Sequence, residues 1–200
     1  FGASLPLLND VPIMMGITAD EASWVPEDAA RTRTRLAEYG ADFARLYPAE
    51  DDAALRDAAL LSDRHATLVA MERWATARSA RNGADLYLYL WTHTLPGPDA
   101  ARYRAFHSSE VPYMFGALDA APERGFTATD QEISARMVAY WSNFVKTGNP
   151  NGADLPAWPS SAEAPAYMEL GDNFAPVAPM TDDVRTFWNQ RFDAAREYRF

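Results

Sequence analysis

Val11-Pro12-Ile13-Met14-Met15-Gly16-Ile17-Thr18 is the stretch on which the fold reading turns. It is a short apolar run that does not alternate and that a polar turn closes. An apolar run without alternation reads as a strand buried on both faces, the habit of a parallel sheet. A second such run, Leu86-Tyr87-Leu88-Tyr89-Leu90-Trp91, lies past a long helical stretch and reads the same way. Between them, Pro26 opens a helical zone in which Leu36, Tyr39, Phe43 and Leu46 repeat at helical spacing. Asp51–Leu61 and Ser62–Arg81 then read as a short and a longer helix, stopped by Asn82-Gly83. Arg31, Arg33 and Arg35 read as a solvated face.

After the second strand comes a loop, Leu95-Pro96-Gly97-Pro98, and a polar stretch around His107. Thr129-Asp130-Gln131-Glu132 has capping-box spacing. It opens a helix with a core face of Ile133, Met137, Trp141 and Phe144, ended by Gly148-Asn149-Pro150. Tyr167-Met168-Glu169-Leu170 suggests an edge strand. Thr181 caps a last helix that turns Val184, Phe187, Trp188 and Phe192 inward. Strands separated by helices define an α/β class. Two convincing parallel strands are too few for a sheet buried on both faces, so the chain reads as part of a larger fold.

Composition narrows the functional classes. With 200 residues, 48% hydrophobic and 12% aromatic, the chain can bury a core and does not read as disordered. The net charge is −10, and residues 149–184 carry six acids with no Lys or Arg. Phosphate neutralisation needs basic clusters, so nucleic acid is not an expected partner. No apolar run reaches transmembrane length, and no membrane partner is expected. The absence of Cys excludes disulfides, thiolate zinc sites and a Cys nucleophile. Phe1-Gly2-Ala3-Ser4 lacks the charged start and apolar stretch of a secretion signal. Composition leaves the compartment open, with a secreted or periplasmic protein slightly favoured over a cytoplasmic one.

His65, His93 and His107 are the three histidines, 28 and 14 residues apart. That spacing is not a metal-ligand signature, and no metal or cofactor is expected. No G-x-G-x-x-G loop occurs. His107 stands in an irregular stretch after the second strand, beside Ser108, Ser109 and Glu110. Glu21 follows the first strand in Gly16-Ile17-Thr18-Ala19-Asp20-Glu21. Catalytic groups in α/β sheets gather on loops beyond the carboxyl ends of strands. An acid and a His after two neighbouring strands can form the orienting half of a charge-relay site. A surface Glu and a loop His is the alternative.

Three segments then carry a resemblance. Val11 to Glu21 resembles the strand-and-acid segment of type-B carboxylesterases, the family of cholinesterases and bacterial p-nitrobenzyl esterases. Ala105-Phe106-His107-Ser108-Ser109-Glu110-Val111-Pro112-Tyr113-Met114-Phe115-Gly116 is similar to that family's histidine segment. Trp141-Ser142-Asn143-Phe144-Val145-Lys146-Thr147-Gly148-Asn149-Pro150-Asn151, followed by Trp158-Pro159, is similar to its C-terminal signature. The segments fall in family order over nearly the whole chain.

The resemblance implies an α/β-hydrolase fold and a Ser, Glu, His triad in that order. Glu21 and His107 would be its acid and base, and Glu110 a second carboxylate behind them. Asp63 matches a structural acid paired with an Arg. Trp24 and Phe106, beside the pair, are candidates to line the pocket of a small carboxylic ester. The nucleophile is missing: no G-x-S-x-G occurs, and Gly2-Ala3-Ser4-Leu5-Pro6 fails at its last position. The Gly-rich oxyanion segment is missing too. Residues 1–200 are therefore expected to be the C-terminal portion of an esterase domain. An upstream segment, in the same or a separate chain, would supply the serine. The single Lys, Lys146, against many Arg suggests a bacterial source. A catalytically silent binding or adhesion member of the fold is the alternative, and a free-standing α/β binding domain a third reading.

Overall fold

A computed structural model describes residues 9–26, 28–81, 83–162 and 164–195. The Gly2–Pro6 stretch and Asn82 lie outside the described residues. Strands β1 (Ile13–Thr18), β2 (Leu86–Trp91), β3 (Tyr167–Leu170) and β4 (Phe174–Val177) form one sheet in the order β1-β2-β3-β4. The first three run parallel, and β4 returns antiparallel to β3. Tyr167–Leu170 is thus an interior strand. The expectation of an edge fails because Phe174–Val177, a weak Pro-bearing strand, takes the edge; Pro is tolerated there because no ladder donor is needed on the open side.

Register decides where chemistry can sit. Thr18, Trp91 and Leu170 pair across the three parallel strands, so their carboxyl ends are level. The loops leaving these ends open onto one rim.

The first crossover contains helices α1 (Ala29–Ala37), α2 (Ala41–Leu46) and α3 (Asp52–Ser79). Asp28 caps α1 by accepting from Arg31 N–H at 2.9 Å. The helical spacing from Leu36 to Leu46 spans two helices because Gly40, at φ 83°, breaks the run. The expected boundary at Leu61/Ser62 is absent. Ser62 is buried within the 28-residue α3 and gives its hydroxyl to the Ala59 carbonyl at 2.9 Å, so it leaves no unsatisfied donor.

The second crossover holds two short helices, α4 (Ala100–Tyr103) and α5 (Val111–Met114), then α6 (Ala128–Thr147). The cap of α6 is Thr127 with Asp130, two residues before the Thr129–Glu132 box expected from spacing. Either register satisfies the sequence pattern; the buried position of Asp130 selects the first. Gly148, at φ 76°, ends α6 with a left-handed turn. Helix α7 (Asp182–Ala194) follows its Thr181 cap.

The two crossovers cover opposite faces of the sheet. Leu86 and Leu88 of β2 pack with Leu68, Val69 and Ala75 of α3 and Trp188 of α7. Tyr87 and Trp91 pack with Met137 and Tyr140 of α6 and with Trp158. Tyr140 takes the fully buried place on α6, while Trp141 and Phe144 are half-buried. Burial of this kind makes each large core side chain worth about 2–5 kcal/mol against truncation to Ala.

Gly16 and Tyr89 pair across β1 and β2, and a Cβ on Gly16 would come within 2.3 Å of the Tyr89 ring. Only a glycine lets that ring lie across the strand.

Candidate active site

The turn after β1 is held from three sides. Ala19 N–H donates to the Trp91 carbonyl at 2.8 Å, which continues the sheet by one bond. Asp20 N–H donates to the Ala105 carbonyl at 2.9 Å, and His107 N–H to the Glu21 carbonyl at 3.3 Å. Residues 19–21 and 105–107 therefore run side by side. Arg64 of α3 donates to the Ala19 carbonyl at 2.6 Å, and Arg56 to the carbonyls of Ser23 and Arg102 at 3.0 and 2.8 Å. The Ser23 hydroxyl donates to the Tyr103 carbonyl. Two segments more than 80 residues apart become one unit.

Within that unit Glu21 is fixed by its own strand. Its Oε1 accepts from Thr18 N–H, the last residue of β1, at 2.8 Å. Its Oε2 lies 2.6 Å from Nδ1 of His107. A carboxylate only accepts, so Nδ1 carries the proton and the neutral ring keeps its lone pair on Nε2. The His107 side chain is 68% exposed, against 35% for Glu21. Among the described residues Nε2 makes no hydrogen bond. The ring is oriented from behind and open in front, the geometry of an imidazole available as a base.

The backbone bends hard to achieve this. Arg104 and Ser108, on either side of His107, have φ of 52° and 69°. Such left-handed positions cost non-glycine residues about 1 kcal/mol or more. The turn at Ser108 sends Ser109 inward, where its hydroxyl accepts from the Trp91 indole N–H at 2.9 Å.

Glu110 follows at the start of α5. Its Oε2 is buried with no hydrogen-bond partner. Burial pushes its pKa up, its own backbone N–H pulls it down, the Glu21 charge raises it and His107 lowers it; the net shift is upward. Burial thus works against the charged form of Glu110. Tyr89 faces the same charges: burial, Glu110 and Glu21 all push its hydroxyl pKa upward. Sequence reasoning missed Tyr89 because it reads as one more aromatic of a core strand; its pairing with Gly16 is the signal that marks it.

Trp24 and Phe106 line one open cavity of about 490 Å³, together with Leu95, Pro96, Tyr103 and Arg124. Both candidate pocket residues thus meet in a single hollow, whose lining includes neither Glu21 nor His107. Asp63, by contrast, forms a two-pronged pair with Arg35 at 2.9 and 3.2 Å on the surface, away from Glu21 and His107. Arg33 likewise pairs with Asp52 at 2.8 Å, so two of the three clustered arginines tie α1 to α3. Among the described residues no group of His and carboxylates could hold a metal ion. No helix among them is long and apolar enough to cross a membrane.

Comparison with known proteins identifies the family. The model of the carboxylesterase family matches residues 46–188, a stretch that contains His107 and Glu110 and begins after Glu21. Carboxylesterase 5A of Canis lupus familiaris is 32% identical over 122 residues, 57% of this chain and 21% of that protein. Carboxylesterase 3B of Mus musculus is 38% identical over 120 residues, 54% of this chain and 20% of that protein. Cocaine esterase of Homo sapiens is 32% identical over 90 residues, 44% of this chain and 16% of that protein. The chain spans about a fifth of the length of such relatives. All three are mammalian and lend no support to the bacterial source suggested by Arg usage. The chain belongs to the carboxylesterase family, and its four-stranded sheet with covering helices is part of the α/β-hydrolase fold that membership implies.

Proposed function

We propose that this chain supplies the acid and the histidine of a serine carboxylesterase, with Glu21 and His107 in those roles. The observation that carries the reading is the 2.6 Å contact between Glu21 Oε2 and His107 Nδ1 beneath an open Nε2. Nε2 takes the proton of a serine hydroxyl as that oxygen attacks the ester carbonyl. The tetrahedral intermediate collapses, and Nε2 returns the proton to the leaving alcohol. Water then repeats the sequence on the acyl-serine. Glu21 keeps the ring in the required tautomer and stabilises the imidazolium formed at each step. Glu110 stands behind the pair as a second carboxylate, and its charge interacts with those of Glu21 and His107. Trp24 and Phe106 line the pocket for one arm of a small carboxylic ester.

The serine belongs, in this reading, to an upstream segment of the same enzyme, in the same or a separate chain. Residues 1–200 are then the C-terminal portion of the catalytic domain. Two facts support that reading: the sequence has no G-x-S-x-G, and the 122 residues matched to the dog carboxylesterase 5A cover 21% of that protein. The deciding experiment measures p-nitrophenyl ester hydrolysis by residues 1–200 alone and together with the upstream segment. Activity only in the second case is the expected result. Activity of residues 1–200 alone overturns the division of the triad. An upstream segment whose elbow serine is substituted, with no turnover, favours the silent binding member of the fold.

A further inference from the structure

We propose that Tyr113, Asp130 and His93 are positioning residues that seat the His107 segment, an inference that rests on the esterase reading. The segment from Phe106 to Phe115 ends in α5, a four-residue helix. One turn of helix has no stability of its own, so tertiary contacts must hold it. Tyr113 provides them. It is fully buried, its hydroxyl donates to Asp130 Oδ1 at 2.6 Å, and its carbonyl accepts from the Ser134 hydroxyl at 2.9 Å. Its ring packs against Trp91, His93 and Phe126 at 4.9, 5.4 and 5.9 Å between centroids.

Asp130 does more than cap α6. Its Oδ2 accepts from the Thr127 N–H and hydroxyl at 2.7 and 2.6 Å, which completes the capping box. Capping needs no more than that. The other oxygen, Oδ1, is buried and takes both Tyr113 and His93 Nε2, the latter at 2.9 Å. Burial opposes the charge on Asp130, but its donors outweigh that and lower its pKa to about 2. The carboxylate is therefore a permanent acceptor, and His93 Nε2 must be the donor.

His93 carries the tie onward. It leaves the end of β2, and its Nδ1 lies 2.7 Å from Asp172 in the β3–β4 turn. Gly171 lets that turn approach: a Cβ there would lie 2.6 Å from Thr92 Oγ1 and 2.9 Å from His93 N. Contacts thus run from the β3–β4 turn through His93, Asp130 and Tyr113 to the His107 segment. None of these residues touches Glu21 or His107 in the contacts described above, so their effect on the pair is indirect.

The test uses the complete enzyme with its serine-bearing segment. Tyr113→Phe removes one hydroxyl and keeps the ring, and His93→Ala removes the tie to the β3–β4 turn. Each is expected to lower kcat roughly 10- to 100-fold with KM nearly unchanged, the effect of displacing a base by a fraction of an ångström or more. His93→Gln, whose amide can still donate to Asp130, is expected to recover most of the loss. The second readout is the downfield proton resonance of the short His107–Glu21 hydrogen bond, which should weaken in Tyr113→Phe and in His93→Ala and persist in His93→Gln. Unchanged kcat and resonance in both Tyr113→Phe and His93→Ala overturn the proposal. A fall in melting temperature with the resonance intact also overturns it, since that is a purely structural role. The resonance reads the Glu21–His107 contact without any turnover, so it judges this inference even where His107→Ala proves harmless and the esterase reading fails.

Discussion

Asp20 and Glu21 are neighbours in the chain and serve opposite partners. The Asp20 carboxylate turns inward, 3.6 Å from Arg64 and 3.8 Å from Arg104, while the Glu21 carboxylate meets His107 at 2.6 Å. Asp20 is 8% exposed and also accepts from Ala105 N–H at 3.4 Å. One acid builds the turn; the other faces the candidate base.

That divergence predicts two different phenotypes. Glu21→Gln should lower kcat by about 10²–10⁴ in the complete enzyme with little change in melting temperature, because the ring loses its tautomer control. Asp20→Asn should instead cost about 1–3 kcal/mol of stability by removing the buried carboxylate charge that Arg64 and Arg104 face, although Arg64 keeps the Ala19 carbonyl and Arg104 keeps Asp57. Its folded fraction should keep kcat within a few-fold. Paired thermal melts and ester kinetics on both variants check this, and an Asp20→Asn enzyme with the larger kcat loss would assign the acid to the wrong carboxylate.

His107→Ala should remove nearly all turnover, roughly 10⁴–10⁶ in kcat or about 5–8 kcal/mol of transition-state stabilisation. The side chain is mostly exposed, so circular dichroism should register no loss of fold. Activity within tenfold of the parent enzyme would leave the pair without a catalytic role.

Gly16→Ala should destabilise the protein by about 1–3 kcal/mol, the range for forced overpacking. The added Cβ meets the Tyr89 ring at 2.3 Å, inside van der Waals contact. Combining it with Tyr89→Leu should give less than the sum of the two single costs, because the smaller side chain relieves the clash. Additive costs in urea unfolding would place the strain elsewhere.

His65 sets a pH dependence of stability. Burial first, then the Arg64 charge, lower its pKa from 6.5 to about 4, against a smaller upward pull from the Pro179 backbone. Its Nδ1 is 2.9 Å from the Tyr47 hydroxyl, which in turn accepts from the Trp188 indole N–H at 2.9 Å. Below pH 6.5 the unfolded chain binds a proton that the fold resists. The contribution is therefore complete above pH 6.5 and is lost as pH falls from there through about 4. Its full size is about 3 kcal/mol. Melts between pH 7 and 4.5 should show the decline, and His65→Gln should flatten it.

The two long parallel strands could be read from Val11–Thr18 and Leu86–Trp91, because an unbroken apolar run has no other stable place than a doubly covered sheet. Glu21 just past β1, and His107 on the connection that leaves β2, were legible for the same reason: strand ends decide which loops share a rim. Propensity also marked Thr181 and Gly148 as helix limits. Other features needed the third dimension. Nothing local distinguishes Tyr167–Leu170 as an interior strand; its neighbours β2 and β4 do. Nothing local chooses between Asp20 and Glu21; Arg64 on α3 claims the first and leaves the second to the histidine. The seat of the His107 segment joins His93, Tyr113, Asp130 and Asp172 across 79 positions of sequence, and only close packing of α6 and the β3–β4 turn brings them within hydrogen-bond reach. Sequence determines which residues leave the sheet and where helices can start and stop, since both follow from local backbone and burial preferences. Tertiary structure alone decides which polar groups share a buried space, because those partners are set by packing between distant segments.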